Sequence, residues 1–117
     1  MKAKNALLLA ILCITNAPVY ATQNSGSQSE TEAVAALCDA MRYQAYSTME
    51  LRQLSTPKYK LKEMVDNHMA DINSRMTQYR LIDEAFTVEL SSPERAGLVA
   101  HDFAESQRAK CMREKNI

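Results

Sequence analysis

Apolar positions recur at helical intervals along most of this chain, and two Ser/Thr–Pro junctions divide them. Val34, Leu37, Cys38, Met41, Ala45 and Thr48 lie on one face of a helix running to about Leu54. Ser29-Glu30-Thr31-Glu32 precedes that face with the form of a capping box, Ser29 as N-cap and Glu32 as the reciprocal acceptor. Ser55-Thr56-Pro57 ends it, because the residue before a proline avoids the helical region and proline suits a first helical position. A second stripe therefore starts at Pro57 with Leu61, Met64, Val65, His68 and Ile72, and Met76, Tyr79, Ile82, Phe86 and Leu90 continue it. Ser91-Ser92-Pro93-Glu94 repeats the start signal. The last helix then carries Ala96, Val99, Ala100, Phe103, Ala104 and Cys111 on one face, and it ends in Arg113 and Lys115, which suit the negative end of a helix dipole. No stretch alternates with period two, so the fold class is all-α.

The N-terminus has a different pattern. A short basic segment, Met1-Lys2-Ala3-Lys4-Asn5, is followed by a compact apolar run from Ala6 to Ile14. Thr15 to Ala21 then places Val19 and Ala21 at the −3 and −1 positions of a signal-peptidase site. That order predicts a secretory signal peptide over residues 1–21, too short in its apolar part to anchor the chain in a bilayer. Leu12 stands before Cys13, where a lipoprotein signal needs a small residue, so Cys13 is not expected to be acylated. Residues 22–29 are polar and aperiodic and read as a disordered leader, and residues 30–117 as a single helical domain. The expected location is the periplasm, or the medium beyond it, without membrane insertion of the mature chain.

Export changes the meaning of the cysteines. Cleavage leaves Cys38 and Cys111, an even pair in an oxidising compartment, and predicts a disulfide between them. This pairing constrains the helix count. Periodicity alone permits one helix over residues 57–90, roughly 50 Å long. With three helices, however, Cys38 and Cys111 would lie at opposite ends of an up-down-up bundle, whereas a disulfide needs Cα atoms within about 7 Å. Four helices bring the two ends together. The spacing thus predicts a bundle of about four helices with a break near Asp71-Ile72-Asn73-Ser74, the most turn-like stretch available.

Charge narrows the function classes. The chain holds 14 basic and 14 acidic side chains, and Lys2 and Lys4 leave with the signal, so the mature protein is slightly acidic. A nucleic-acid binder would show a basic excess. Lys58, Lys60 and Lys62 form a small basic cluster that reads as a solvated first turn. There is no nucleophile elbow, neither cysteine sits in a thiolate-activating motif, and the neighbouring carboxylates Asp83 and Glu84 point apart on a helix. No enzyme is expected. Met64, His68, Met69 and Met76 fall within thirteen residues and are the soft donors that suit Cu(I), but methionine also fills irregular cores, and no metal or other cofactor is expected. His101 and Glu105, four apart on the last helix, lack a third ligand for zinc and read as an exposed pair.

Cys38 at the head of the first helix, Met49-Glu50-Leu51-Arg52 before a loop, Leu61 with Met64, Ile82-Asp83-Glu84-Ala85-Phe86, Asp102-Phe103 and the closing Cys111 form a set. Together they resemble an uncharacterised group of small exported two-cysteine helical proteins from bacteria and their phages. Where the resemblance implies a glycine after Arg52, this chain has Leu54-Ser55-Thr56. It implies the two-cysteine helical architecture and no activity. The expected function is binding of a protein partner in the cell envelope, as an immunity- or inhibitor-type module. The alternatives are an acid- or envelope-stress chaperone, whose known examples are similar in size, compartment and cysteine count, and a Met/His copper-handling protein.

Overall fold

The computed structural model describes residues 26–115, with side chains from Ser29 onwards. The expected signal peptide with Cys13, and residues 22–25 of the expected leader, lie outside the described residues. Four helices follow one another, α1 Gly26–Gln53, α2 Lys58–His68, α3 Ile72–Ala85 and α4 Ala96–Glu114. The chain divides into two units, up to Ala33 and from Val34, and the residues from Val34 onwards carry the core. α1 begins upstream of the expected Ser29 cap and takes in residues 26–29 of the expected leader. Once a helix is nucleated each added residue gains a hydrogen bond, and no proline in this stretch opposes the extension.

The first junction is tighter than a proline stop alone would require. Ser55 N–H donates to Arg52 O at 2.9 Å and Thr56 N–H to Leu51 O at 3.0 Å, the hydrogen-bond pair of a Schellman motif. The motif puts Ser55 at φ 69°, a left-handed conformation that glycine ordinarily supplies. A Cβ there costs about 1 kcal/mol. Ser55→Gly should therefore raise the free energy of unfolding by up to about 1 kcal/mol, read as a higher urea midpoint with an unchanged slope. An unaltered or lower midpoint would mean that the hydroxyl contributes more than the strain removes.

Pro57 then lies one residue before α2, with φ −64° and ψ 147°. Its carbonyl accepts from Lys60 and Leu61. A break is present, but it lies upstream of the expected one: Met69, Ala70 and Asp71 separate α2 from α3, and Ile72, Asn73 and Ser74 form the first turn of α3. Asp71 caps α3, its carboxylate accepting from the Ser74 N–H and the Ser74 hydroxyl at 2.9 Å each. These bonds hold the Asp71 carboxyl below its ordinary range.

The last junction departs from expectation. Helix α4 starts at Ala96, after a turn closed by Arg95 N–H to Ser92 O and Ala96 N–H to Pro93 O. Ser91 does not cap α4 and is instead bonded to Gln53. The Gln53 amide oxygen accepts from the Ser91 N–H at 2.8 Å and from its hydroxyl at 2.9 Å, while Gln53 Nε2 donates to Glu89 O at 3.1 Å. Arg52 adds a bond to Val88 O at 3.1 Å and lies over the Phe86 ring at 4.5 Å. The end of α1 thus organises the α3–α4 loop.

The main core joins three helices: Ala45 and Met49 of α1, Leu81 and Ala85 of α3, and Ala100, Phe103 and Ala104 of α4. Its alanines let the backbones approach, and Met49, Leu81 and Phe103 fill the remaining space. A second, smaller cluster holds α2, through Leu61 and Val65 against Ile82 of α3, with Leu51, Met69, Tyr79 and Phe86 at its edge. Cys38 and Cys111 form the expected disulfide, Cα atoms 5.5 Å apart across 73 residues of chain. Several stripe residues are not core. Met64, Ile72 and Met76 are exposed because the burying faces of α2 and α3 are narrower than the apolar pattern, and Leu37 on α1 and Leu90 in the α3–α4 loop are exposed as well.

Candidate functional site

The end of α1 and the α2–α3 hairpin enclose an open apolar groove of about 340 Å³. Its floor is built from both ends of the second cluster: Leu51 of α1, Leu61 and Val65 of α2 and Ile82 of α3. Helical spacing puts Leu61 and Val65 on one face of α2, and it sets Tyr43, Ser47 and Leu51 along one side of α1. Two hydrogen bonds tie polar groups of the lining within the protein. Gln78 donates to the Gln44 side-chain oxygen across the α1–α3 interface, and the Thr48 hydroxyl donates to Gln44 O at 2.8 Å. No Asp, Glu, Lys or Arg side chain lines the groove. It suits an uncharged, apolar group.

The soft donors of the sequence fall unevenly about this groove. Met64, His68 and Met69 line it, and Met76, 59% exposed on α3, does not. Met69 packs against the Leu61–Val65–Ile82 cluster, which makes it part of the wall. Among the described residues no three His, Cys, Asp or Glu side chains come together as metal ligands. The purified protein should carry no stoichiometric copper. One Cu(I) per chain, lost in both Met64→Ala and His68→Ala, would overturn this and make the wall a metal site.

Charged residues sit outside the groove and tie helices together. Asp83 and Glu84 diverge, as neighbouring helical positions do. Asp83 turns to α2, where Lys58 approaches at 2.9 Å and Lys62 at 3.2 Å. Hydrogen bonds to Lys58 and then Lys62 hold its carboxyl below the usual range. Two of the three clustered lysines are thereby spent on an internal partner. Glu84 turns to α4 and meets Lys110 at 3.0 Å, Arg80 at 3.2 Å and the Gln107 amide. Burial pushes the Glu84 carboxyl up, but the bonds from Lys110 and Gln107 outweigh it and the net shift is downward. Tyr79 donates to Asp66, which together with burial raises the phenol. Asp39 pairs with Arg108 at 2.7 Å and Arg42 with Glu105 at 3.7 Å, joining α1 to α4. Glu105 thus faces α1 and not His101, which is exposed.

These lowered carboxyl groups set the direction of the acid response. Asp71, Asp83 and Glu84 each ionise more readily in the folded chain than unfolded, so their contribution is complete above the ordinary carboxylate range. It is lost as pH falls through their folded values. Urea midpoints should therefore fall between about pH 5 and pH 3, and Glu84→Gln should flatten that fall. A flat profile in the unsubstituted protein would count against the network.

A second cleft, of about 400 Å³, opens beside the disulfide between Leu37 and Met41 of α1, Thr77 and Arg80 of α3 and the end of α4. Its walls mix apolar and charged groups. Among the described residues no helix is long and apolar enough to cross a membrane. Comparison of the chain with protein-family models, with curated proteins and with solved structures returns no match.

Proposed function

We propose that this protein is a small exported, non-enzymatic module that binds another protein in the cell envelope, in the manner of an immunity protein or inhibitor. The apolar groove between α1, α2 and α3 carries the reading. It is preformed, it is lined mostly by apolar side chains, and the exposed Tyr43 and Met64 stand at its mouth. Apolar anchors set in such pockets are what protein partners supply most effectively. A photo-crosslinking residue at Tyr43 or Met64, in living cells, should give an adduct with one discrete protein. The same probe at Leu98, equally exposed but on α4, should give none. Adducts of equal yield from all three positions, or from none, would reject the groove as a docking site.

A stress-chaperone role is the second reading, supported by the carboxylates that tie helices together. Acidification removes those ties, and apolar surface should then appear as dye binding below about pH 4. The Met-lined wall of the groove supplies adaptable contacts for such a role.

A further inference from the structure

We infer that α2 is a hinged flap, latched to α3 through Asp83, that opens as a unit while the disulfide-closed frame of α1, α3 and α4 stays folded. Four observations lead there. The main core contains no residue of α2, whereas it joins the other three helices directly. Within α2 itself only Leu61 and Val65 are buried. At 11 residues, without a side-chain cap at its start, α2 is too short to be stable on its own. Its polar and ring ties are also one-sided. Among the described residues, every ion pair, side-chain hydrogen bond and ring contact from Lys58–His68 to another helix or the α3–α4 loop runs to α3 or the residue that ends it. Lys58 and Lys62 meet Asp83, Asp66 meets Tyr79, and Lys62 and Lys58 lie over the Tyr79 and Phe86 rings.

The frame is held differently. The disulfide, Asp39–Arg108 and Arg42–Glu105 join α1 to α4, and Glu84 joins α3 to α4. None of these passes through α2. Short non-helical segments flank the flap on both sides, Leu54–Pro57 with Ser55 at φ 69°, and Met69–Asp71 in extended conformation. A few element-terminal residues of this kind are sufficient to act as hinges. Segments with few buried apolar contacts open at less cost than the molecule as a whole.

Opening would break one wall of the groove and uncover Leu61, Val65 and Ile82. The latch on α2 thus sets how fully the site proposed above stays formed. Only that consequence rests on the binding proposal, since the opening itself can be measured without a partner.

Hydrogen exchange on the full-length, oxidised mature protein at fixed pH, in low and increasing urea, tests it. Amides of residues 61–68 should exchange at least ~10-fold faster than those around Leu81 and Ala104, with little dependence on urea. Asp83→Asn should speed α2 exchange by roughly two- to five-fold and leave α1 and α4 unchanged. Lys58→Met with Lys62→Met should do the same from the other side of the latch. Exchange of α2 in the same cooperative step as α3 and α4 would overturn the flap. An equal acceleration of all four helices by Asp83→Asn would overturn the latch.

Discussion

Replacing both cysteines of the Cys38–Cys111 bridge by alanine should lower the free energy of unfolding by about 4 kcal/mol, the chain entropy released when a loop this long is opened. The bridge closes 73 residues of chain, so it encloses α2, α3 and most of what packs between α1 and α4. Both cysteines are buried, Cys38 completely and Cys111 at 3% exposure, and alanine leaves a small void at each. Domains of this size are stable by only about 5–15 kcal/mol, so the bridge supplies a large share of the total. The midpoint of thermal unfolding should fall by roughly 15–30 °C relative to the oxidised protein. Mass spectrometry of the unreduced mature protein should find the two cysteines linked within one chain. A stability loss below about 1 kcal/mol would show that the unfolded chain is already constrained in other ways.

Leu81→Ala should cost about 2–5 kcal/mol, in the range of large-to-small changes at fully enclosed sites. Leu81 has no exposed surface, and it sits in the main cluster where α3 meets α1 and α4. Its neighbours Ala45, Ala85, Ala100 and Ala104 cannot swing into the space it leaves, so the cavity stays open. Met76→Ala, on the same helix, should stay within about 0.5 kcal/mol, because that side chain is already in water. Denaturant unfolding of the two variants decides the matter. Equal losses would mean that the buried row of α3 has been misplaced.

This contrast shows where the apolar pattern was legible and where it was not. α3 serves two clusters with adjacent rows. Tyr79 and Ile82 face α2 and belong to the stripe that spacing reveals, whereas Leu81 and Ala85 face the main core. The second row is hidden in the sequence because Gln78, Arg80 and Glu84 interleave with it. Those polar groups can lie near the core because Gln44, Gln107 and Lys110 satisfy them from other helices. A partner on another helix leaves no trace in local spacing. In the same way Ser91 has the chemistry of a helix cap but is bonded to the side chain of Gln53, 38 residues away.

The groove was the least legible feature. Its residues come from three helices, and several of them, Tyr43, Ser47 and Gln44, carry no motif. The cluster of Met64, His68 and Met69 did point to its wall, although Met76 points away from it.

The sequence by itself determined the all-α class, the junction at Pro57, the disulfide partners and the even helix count, because each follows from local backbone chemistry or from the length of one covalent bridge. The tertiary structure alone decided which face of α3 is buried, where α4 begins and that α2 stands outside the main core. Those outcomes depend on side chains far apart in the chain that compete for the same surfaces, and spacing within a single segment does not encode that competition.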